Sequence, residues 1–251
     1  DIDGTIIQTG KGAVKGEVPA SVKIGATKLQ QANIPLIIAT GRSLYEASQF
    51  KEKIGIKNSY IIAEQGAEIV NPQGQIIFQD PIDKKDFMKM IKEIDRFKKK
   101  NHFNSRVFFV ADAKPYATSE FDLPYIWEKR TVIKSYRDLK PTFVYTKISI
   151  CDTEPQNLKA YQTHLKQMFP KYHIDISADC YVDISSPTAS KGNAIEMLAK
   201  ILNFDLSHAA AIGDGENDIS MIKAVQSHGG LGIAVGNAME KLKQNANYIA
   251  G

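Results

Sequence analysis

The 251-residue chain lacks several features that mark specialised classes of protein. No apolar run approaches the roughly 20 residues of a membrane-spanning helix, and we find no repeat or low-complexity segment. Charge is nearly balanced, with 32 Lys and Arg against 28 Asp and Glu. Nothing in this composition demands a nucleic acid or a membrane as partner. The content of 43% hydrophobic and 24% charged residues is that of an ordinary globular protein.

Cysteine is also scarce. Cys151 and Cys180 are the only two, and their spacing matches no metal-binding motif. We therefore expect two buried, reduced thiols in a cytoplasmic protein. The five histidines are scattered along the chain and receive no role.

Three short apolar runs predict buried parallel strands, because they are apolar on both faces. They cover residues 34–39, 60–63 and 209–212. Helical patterns at 18–31, 44–54 and 219–225 flank these runs. Such alternation of strand and helix indicates a doubly wound α/β core.

The middle of the chain has a different pattern. After a predicted hairpin at 68–78, apolar residues recur at helical spacing over 87–97 and 158–169, and short strand patterns lie between and after them. This mixture is typical of an α+β module. We predict that residues 81–186 form it, inserted into a discontinuous core of residues 1–80 and 187–251.

Two carboxylates open the chain, at Asp1 and Asp3, followed by Gly4. In extended backbone their side chains would point to the same face, and Gly4 would permit a sharp turn. Like charges this close need a cation or a shared proton. The pair predicts a metal site, or a nucleophile beside an acid/base, unless it is only a solvated turn. We also expect a buried strand to precede Asp1, outside this sequence.

Two further segments suggest phosphate binding. Thr40, Gly41 and Arg42 follow an apolar run and precede a helix, whose free N–H groups would attract an anion. The alternative role for Thr40 is that of a helix N-cap or a turn hydroxyl. Ser190 is a predicted N-cap that places Lys191 in the first turn of a helix. A lysine there opposes the helix dipole, which points to anion binding or to a merely exposed side chain.

The acidic turn at 213–219 is the strongest single signal. A buried strand leads into three carboxylates, of which Asp214 and Asp218 are four residues apart. Clustered carboxylate oxygens at the end of a strand suit Mg²⁺, which takes few protein ligands and keeps several waters.

Together the motifs Asp1-Ile-Asp-Gly-Thr5, Ala39-Thr-Gly-Arg42, Ser190-Lys-Gly192 and Gly213-Asp-Gly-Glu-Asn-Asp218 resemble, in order and spacing, those of the haloacid dehalogenase-like superfamily. The likeness extends to its Cof-type sugar-phosphate phosphatases and spans essentially the whole chain. One departure is Gln65, where we expect asparagine. The resemblance implies a Rossmann-like parallel-sheet core with an inserted α+β cap domain of the type-2 class.

The resemblance also implies the chemistry of the site. Asp1 would be the nucleophile and Asp3 the acid/base, assisted by Thr40 and Lys191. The implied phosphate-binding residues are Thr40, Gly41, Arg42, Lys191 and Asn217. The implied Mg²⁺ ligands are Asp1, the backbone carbonyl of Asp3, Asp214 and Asp218.

The expected function is that of a Mg²⁺-dependent phosphatase of sugar phosphates or of a phosphorylated cofactor, acting as a monomer or homodimer. Two alternatives stay open: a phosphomutase that uses the same aspartyl-phosphate, and a phosphate-ligand sensor whose catalysis has decayed. Arg42, Lys147, Asp179 and Tyr181 are candidates for selecting the leaving group, although side chains of this kind are more often structural.

Overall fold

The computed structural model describes residues 1–8, 17–117, 131–133, 135, 139–140, 142–177 and 180–250. Asp179 therefore lies outside the described residues. The chain divides into two compact units, Asp1–Gln79 with Ala189–Gly251, and Asp80–Thr188. No helix among the described residues is long and apolar enough to cross a membrane.

The helices of the described residues are α1 (Ala20–Gln31), α2 (Leu44–Ile54), α3 (Lys84–Asn101), α4 (Pro155–Met168), α5 (Lys191–Leu202), α6 (Ile219–Ser227) and α7 (Glu240–Lys243). The strands are β1 (Ile38–Ala39), β2 (Ile61–Ala63), β3 (Glu68–Val70), β4 (Ile76–Gln79), β5 (Arg106–Ala111), β6 (Lys114–Ala117), β7 (Thr131–Val132), β8 (Tyr145–Cys151), β9 (His173–Ser177), β10 (Tyr181–Ser185), β11 (Ala210–Gly213), β12 (Leu231–Val235) and β13 (Tyr248–Ala250).

The first unit contains two sheets, with strand orders β1-β2-β3-β4 and β11-β12-β13. β1 runs parallel to β2, and β11, β12 and β13 are all parallel. β3 and β4 form the predicted hairpin, with Gly74 in its turn at a φ of +82°. The strand predicted at 34–39 is shorter than expected: only Ile38–Ala39 is extended and paired. Pro35 has no N–H to donate, and Ile34 and Ile37 are about half exposed.

Polar caps begin the two helices that follow the phosphate-binding motifs. Ser43 Oγ accepts the backbone N–H of Glu46 at 3.3 Å at the start of α2. Ser190 Oγ accepts the N–H of Asn193 at 3.1 Å at the start of α5, as the sequence predicts. Each cap fixes the residue at which its helix begins, and so the position of the neighbouring Arg42 or Lys191.

The second unit is built on one sheet of order β7-β6-β5-β8-β10-β9. Its pairings are antiparallel except that of β6 with β7. Helices α3 and α4 contribute the apolar faces predicted from their spacing, and these pack with the sheet into one core. Cys151 is buried and Cys180 half-buried, and both are thiols rather than halves of a disulfide.

We predict that Phe87→Ala destabilises the second unit strongly. The Phe87 ring stacks on Tyr145 at 3.8 Å between centroids and meets Phe109 edge-on at 5.3 Å. Removing a fully buried ring costs about 3–5 kcal/mol, measured by urea unfolding. Phe204→Ala is the control, because Phe204 is 47% exposed and should lose about 1 kcal/mol or less. Equal losses would show that Phe87 does not anchor this core.

Candidate active site

The first residues form a tight turn that separates the two carboxylates. Gly4 has a φ of +77°, and the N–H groups of Ile6 and Ile7 both donate to the carbonyl of Ile2. The fully buried Ile2 side chain anchors this turn in an apolar cluster. Asp1 and Asp3, on either side of Ile2, therefore pair with different basic side chains.

Lys191 is the cation beside Asp1. Its Nζ lies 2.5 Å from Asp1 Oδ1 and 2.6 Å from Asp218 Oδ1. Lys191 and Asp218 are almost completely buried. Burial lowers the pKa of Lys191, although the charge of Asp218 opposes this. Burial would raise the pKa of Asp218, but the charges and hydrogen bonds of its neighbours, Lys191 foremost, together lower it.

The second oxygen of Asp218 organises the acidic turn. Its Oδ2 accepts the backbone N–H groups of Asp214 and Gly215, each at 3.0 Å. A Cβ on Gly213 would lie 2.5 Å from the Cβ of Asp218, so glycine is needed for this close approach. Asp218 thus fixes the backbone that carries Asp214.

Asp214 faces the opening turn of the chain. Its Oδ1 accepts the hydroxyl of Thr5 at 3.0 Å, and a Cβ on Gly4 would lie 2.1 Å from its Oδ2. Burial raises the pKa of this carboxyl group. Oxygen atoms of Asp1, Asp214 and Asp218 lie within 4.8 Å of one another.

This cluster fits a hard divalent cation. When ionised, its three carboxylates outnumber the single ammonium of Lys191, so the site carries an excess of negative charge. All the donors are oxygens, which is the ligand set that Mg²⁺ prefers. The carboxylate of Asp3 does not join this cluster, because it is bound to Arg42.

The Thr40–Arg42 segment is tightly packed. Thr40 is fully buried, and its Oγ1 accepts the N–H of Arg42 at 3.1 Å, so it does serve as a turn hydroxyl. A Cβ on Gly41 would lie 2.4 Å from the Nε2 of Gln65. Asn217 Nδ2 donates to the Oε1 of that same Gln65 at 3.0 Å. The amide of Gln65 therefore lies between Gly41 and Asn217.

Gln65 belongs to a turn with unusual backbone conformation. Glu64, Gln65 and Gly66 have φ values of +50°, +59° and +100°, and such left-handed angles are unfavourable for the first two. The N–H of Gln65 donates to the carbonyl of Thr40. A Cβ on Gly66 would lie 2.2 Å from the carbonyl oxygen of Ser190. The turn is thus held against the residue that precedes Lys191.

Arg42 makes two ion pairs. Its Nε and Nη2 donate to the two oxygens of Asp3, each at 2.7 Å, and its Nη1 donates to Glu46 Oε1 at 3.0 Å. Burial would lower the pKa of Arg42, but the hydrogen bond and charge of Asp3, helped by Glu46, raise it.

Three residues of this arrangement carry no role in the sequence analysis: Thr5, Glu46 and Gln65. Glu46 stands four residues after Arg42, but Arg42 precedes the first residue of α2, so the helical pairing of opposite charges at this spacing gives only a weak signal for the contact. In the sequence, Gln65 stands out only as a departure from the family pattern. Thr5 lies within a motif, but nothing in the sequence indicates that it contacts Asp214.

A sequence profile described as haloacid dehalogenase-like hydrolase matches residues 1–251. The chain belongs to this family. Phosphatase YwpJ of Bacillus subtilis (strain 168) is 28% identical over 283 residues, covering 99% of this chain and 92% of the relative. A haloacid dehalogenase-like hydrolase structure from B. subtilis superposes with a TM-score of 0.79 at 23% identity, covering 98% and 92% of the two chains. The subclass IIB sugar phosphatase BT4131 gives a TM-score of 0.71 at 19% identity, covering 99% and 90%.

These matches confirm the predicted family and the α/β fold class with its parallel-sheet core and inserted α+β domain. The chain is accordingly an enzyme of the hydrolase class, and its named relatives include phosphatases, as the sequence motifs lead us to expect.

We predict that Gly66→Ala is more destabilising than Gly74→Ala. Both glycines have left-handed φ angles, +100° and +82°, but a Cβ on Gly74 meets nothing within 4 Å. Strain at a left-handed position costs about 1–2 kcal/mol, and the clash with Ser190 should add about 1–3 kcal/mol. Urea unfolding of both variants measures the difference. Equal losses would contradict the close packing of this turn against the start of α5.

Proposed function

We propose that this hydrolase is a Mg²⁺-dependent phosphatase of small phosphorylated metabolites, either sugar phosphates or a phosphorylated cofactor. The observation that carries the proposal is the grouping of Asp1, Lys191, Asp214 and Asp218 in a member of this family. It supplies a nucleophilic carboxylate, a cation for phosphate oxygens and a set of Mg²⁺ ligands. Residues 81–186 are proposed as the cap domain of the family.

The metal would be held by Asp1, Asp214, Asp218 and the backbone carbonyl of Asp3. When bound, Mg²⁺ supplies positive charge that lets a carboxylate approach a dianionic phosphate. Lys191 adds a second positive charge beside Asp1. Thr40, Gly41 and Asn217 contribute phosphate-binding groups in this scheme.

Two successive displacements at phosphorus complete the reaction. A carboxylate oxygen of Asp1 attacks phosphorus and forms an aspartyl-phosphate, while the bond from phosphorus to the ester oxygen breaks. The protonated Asp3 gives its proton to the departing oxygen. Asp3 then removes a proton from water, which attacks the phosphorus, breaks the bond to Asp1 and releases phosphate. Asp1 is regenerated as a carboxylate and Asp3 in its protonated form.

We predict that Asp1→Asn abolishes Mg²⁺-dependent hydrolysis. Without the nucleophile the rate should fall by at least about 10⁴-fold, measured as phosphate released from sugar phosphates, nucleotides and pyridoxal phosphate with and without Mg²⁺. Asp205→Asn is the matched control: Asp205 accepts the N–H of Ser207, and asparagine caps turns equally well.

A wild-type rate in Asp1→Asn would remove the proposed nucleophile, and no release by the unmodified protein would overturn the phosphatase. Conversion of one sugar phosphate into its isomer, with little free phosphate, would favour a phosphomutase instead.

We predict that Gly4→Ala weakens Mg²⁺ binding, whereas Gly55→Ala does not. The two glycines have similar φ angles, +77° and +83°, but only a Cβ on Gly4 would meet the Asp214 carboxylate. Displacing that ligand should raise the Kd for Mg²⁺ about tenfold or more, measured by isothermal titration calorimetry. Similar unfolding free energies for the two variants would separate the effect from backbone strain. Unchanged Mg²⁺ affinity in Gly4→Ala would exclude Asp214 as a ligand.

A further inference from the structure

The proposed acid/base, Asp3, is held in one orientation by Arg42. Both oxygens of its carboxylate accept hydrogen bonds at 2.7 Å, from Nε and from Nη2 of the guanidinium. This two-point contact fixes the plane of the carboxylate as well as its position. The carboxylate nevertheless remains accessible, because the Asp3 side chain is 38% exposed.

Two residues of α2 in turn contact the guanidinium of Arg42. Its Nη1 donates to Glu46 Oε1 at 3.0 Å, and its Cζ lies 4.9 Å from the centre of the Phe50 ring. Glu46 is only 5% exposed. Glu46 and Phe50 both belong to α2, whose first turn is capped by Ser43. Asp3 is therefore tied through Arg42 to a rigid helix.

These contacts argue against a direct role for Arg42 in binding phosphate. A guanidinium has five N–H donors, and three of its nitrogens already donate to carboxylates. The carboxylate of Glu46 alone balances the positive charge of the guanidinium, even when Asp3 is protonated. An arginine compensated in this way adds little attraction for a dianionic phosphate.

We propose that Arg42, fixed by Glu46, is a positioning residue that aims the carboxylate of Asp3 at the leaving group and at the attacking water. This inference rests on the proposed phosphatase function. Arg42 transfers no proton, since a guanidinium stays charged in proteins. Its contribution is geometric: proton transfer requires hydrogen-bond reach, and a displacement of about 1 Å can cost on the order of 100-fold in rate.

The choice of leaving group separates positioning from phosphate binding. An alkyl phosphate leaves as a strongly basic alkoxide and needs the proton from Asp3. 4-Nitrophenyl phosphate leaves as a stable phenolate and needs that proton far less. Because kcat/KM reports only the steps through formation of the aspartyl-phosphate, a misdirected Asp3 should lower it much more for the alkyl ester.

The test uses Glu46→Gln and Arg42→Lys, with Glu52→Gln as control. Glu52 is an exposed carboxylate on the same helix. Arg42→Lys keeps the positive charge but loses the two-point contact. We expect the ratio of kcat/KM for 4-nitrophenyl phosphate to that for glycerol 2-phosphate to rise at least about tenfold in both variants, and to stay unchanged in the control.

A second readout follows from the later step. If Asp3 is also misplaced for activating water, the aspartyl-phosphate should accumulate, and both variants should show a burst of nitrophenol that the unmodified enzyme lacks. Thermal unfolding checks that each variant is folded, and Arg42→Lys alone decides the test if Glu46→Gln does not fold.

The outcomes are distinct. Equal losses of kcat/KM for both substrates, with no burst, would overturn the positioning role. A rise in KM alone for both substrates would assign Arg42 to phosphate binding and overturn it too. Hydrolysis of neither substrate by the unmodified protein would instead refute the proposed phosphatase function.

Discussion

The arrangement of this site depends on one buried ammonium, that of Lys191. A buried charge is costly unless it is paired and hydrogen-bonded, and this one is paired with both Asp1 and Asp218. Asp218 in turn accepts the N–H groups of Asp214 and Gly215. Three segments that are far apart in the sequence therefore meet at one cation. Loss of Lys191 would leave the carboxylates of Asp1 and Asp218 without this shared cation.

The same principle separates the roles of the two opening carboxylates. Asp1 faces Lys191 with its side chain 7% exposed, whereas Asp3 faces Arg42 with its side chain 38% exposed. Two carboxylates two residues apart would otherwise repel each other. Each carboxylate has its own cation, and in the proposed mechanism Asp1 is the nucleophile while Asp3 exchanges protons. Different environments give chemically identical groups different tasks.

Local signals in the sequence predicted the elements that carry the site. The helix predicted at 44–54 is α2 as observed, and Ser190 does cap α5. Contacts between residues far apart in the sequence were harder to predict. The pairing of Arg42 with Asp3 joins segments whose approach depends on the whole fold, and no periodicity encodes it. Likewise, the apolar run at 34–39 suggested a longer strand, but Pro35 and the half-exposed Ile37 limit the pairing.

The turn at Glu64–Gly66 shows how strain and function are connected here. Left-handed angles at two residues other than glycine cost of order 1–3 kcal/mol each, so surrounding contacts must stabilise them. The approach of Gly66 to Ser190 and the hydrogen bond of the Gln65 side chain with Asn217 are such contacts. Asparagine would suit the backbone better, but its side chain is shorter by one carbon–carbon bond, about 1.5 Å. Glutamine thus has a less favourable backbone conformation than asparagine would, but its longer side chain reaches Asn217. The resulting hydrogen bond connects the turn after β2 to the acidic turn after β11.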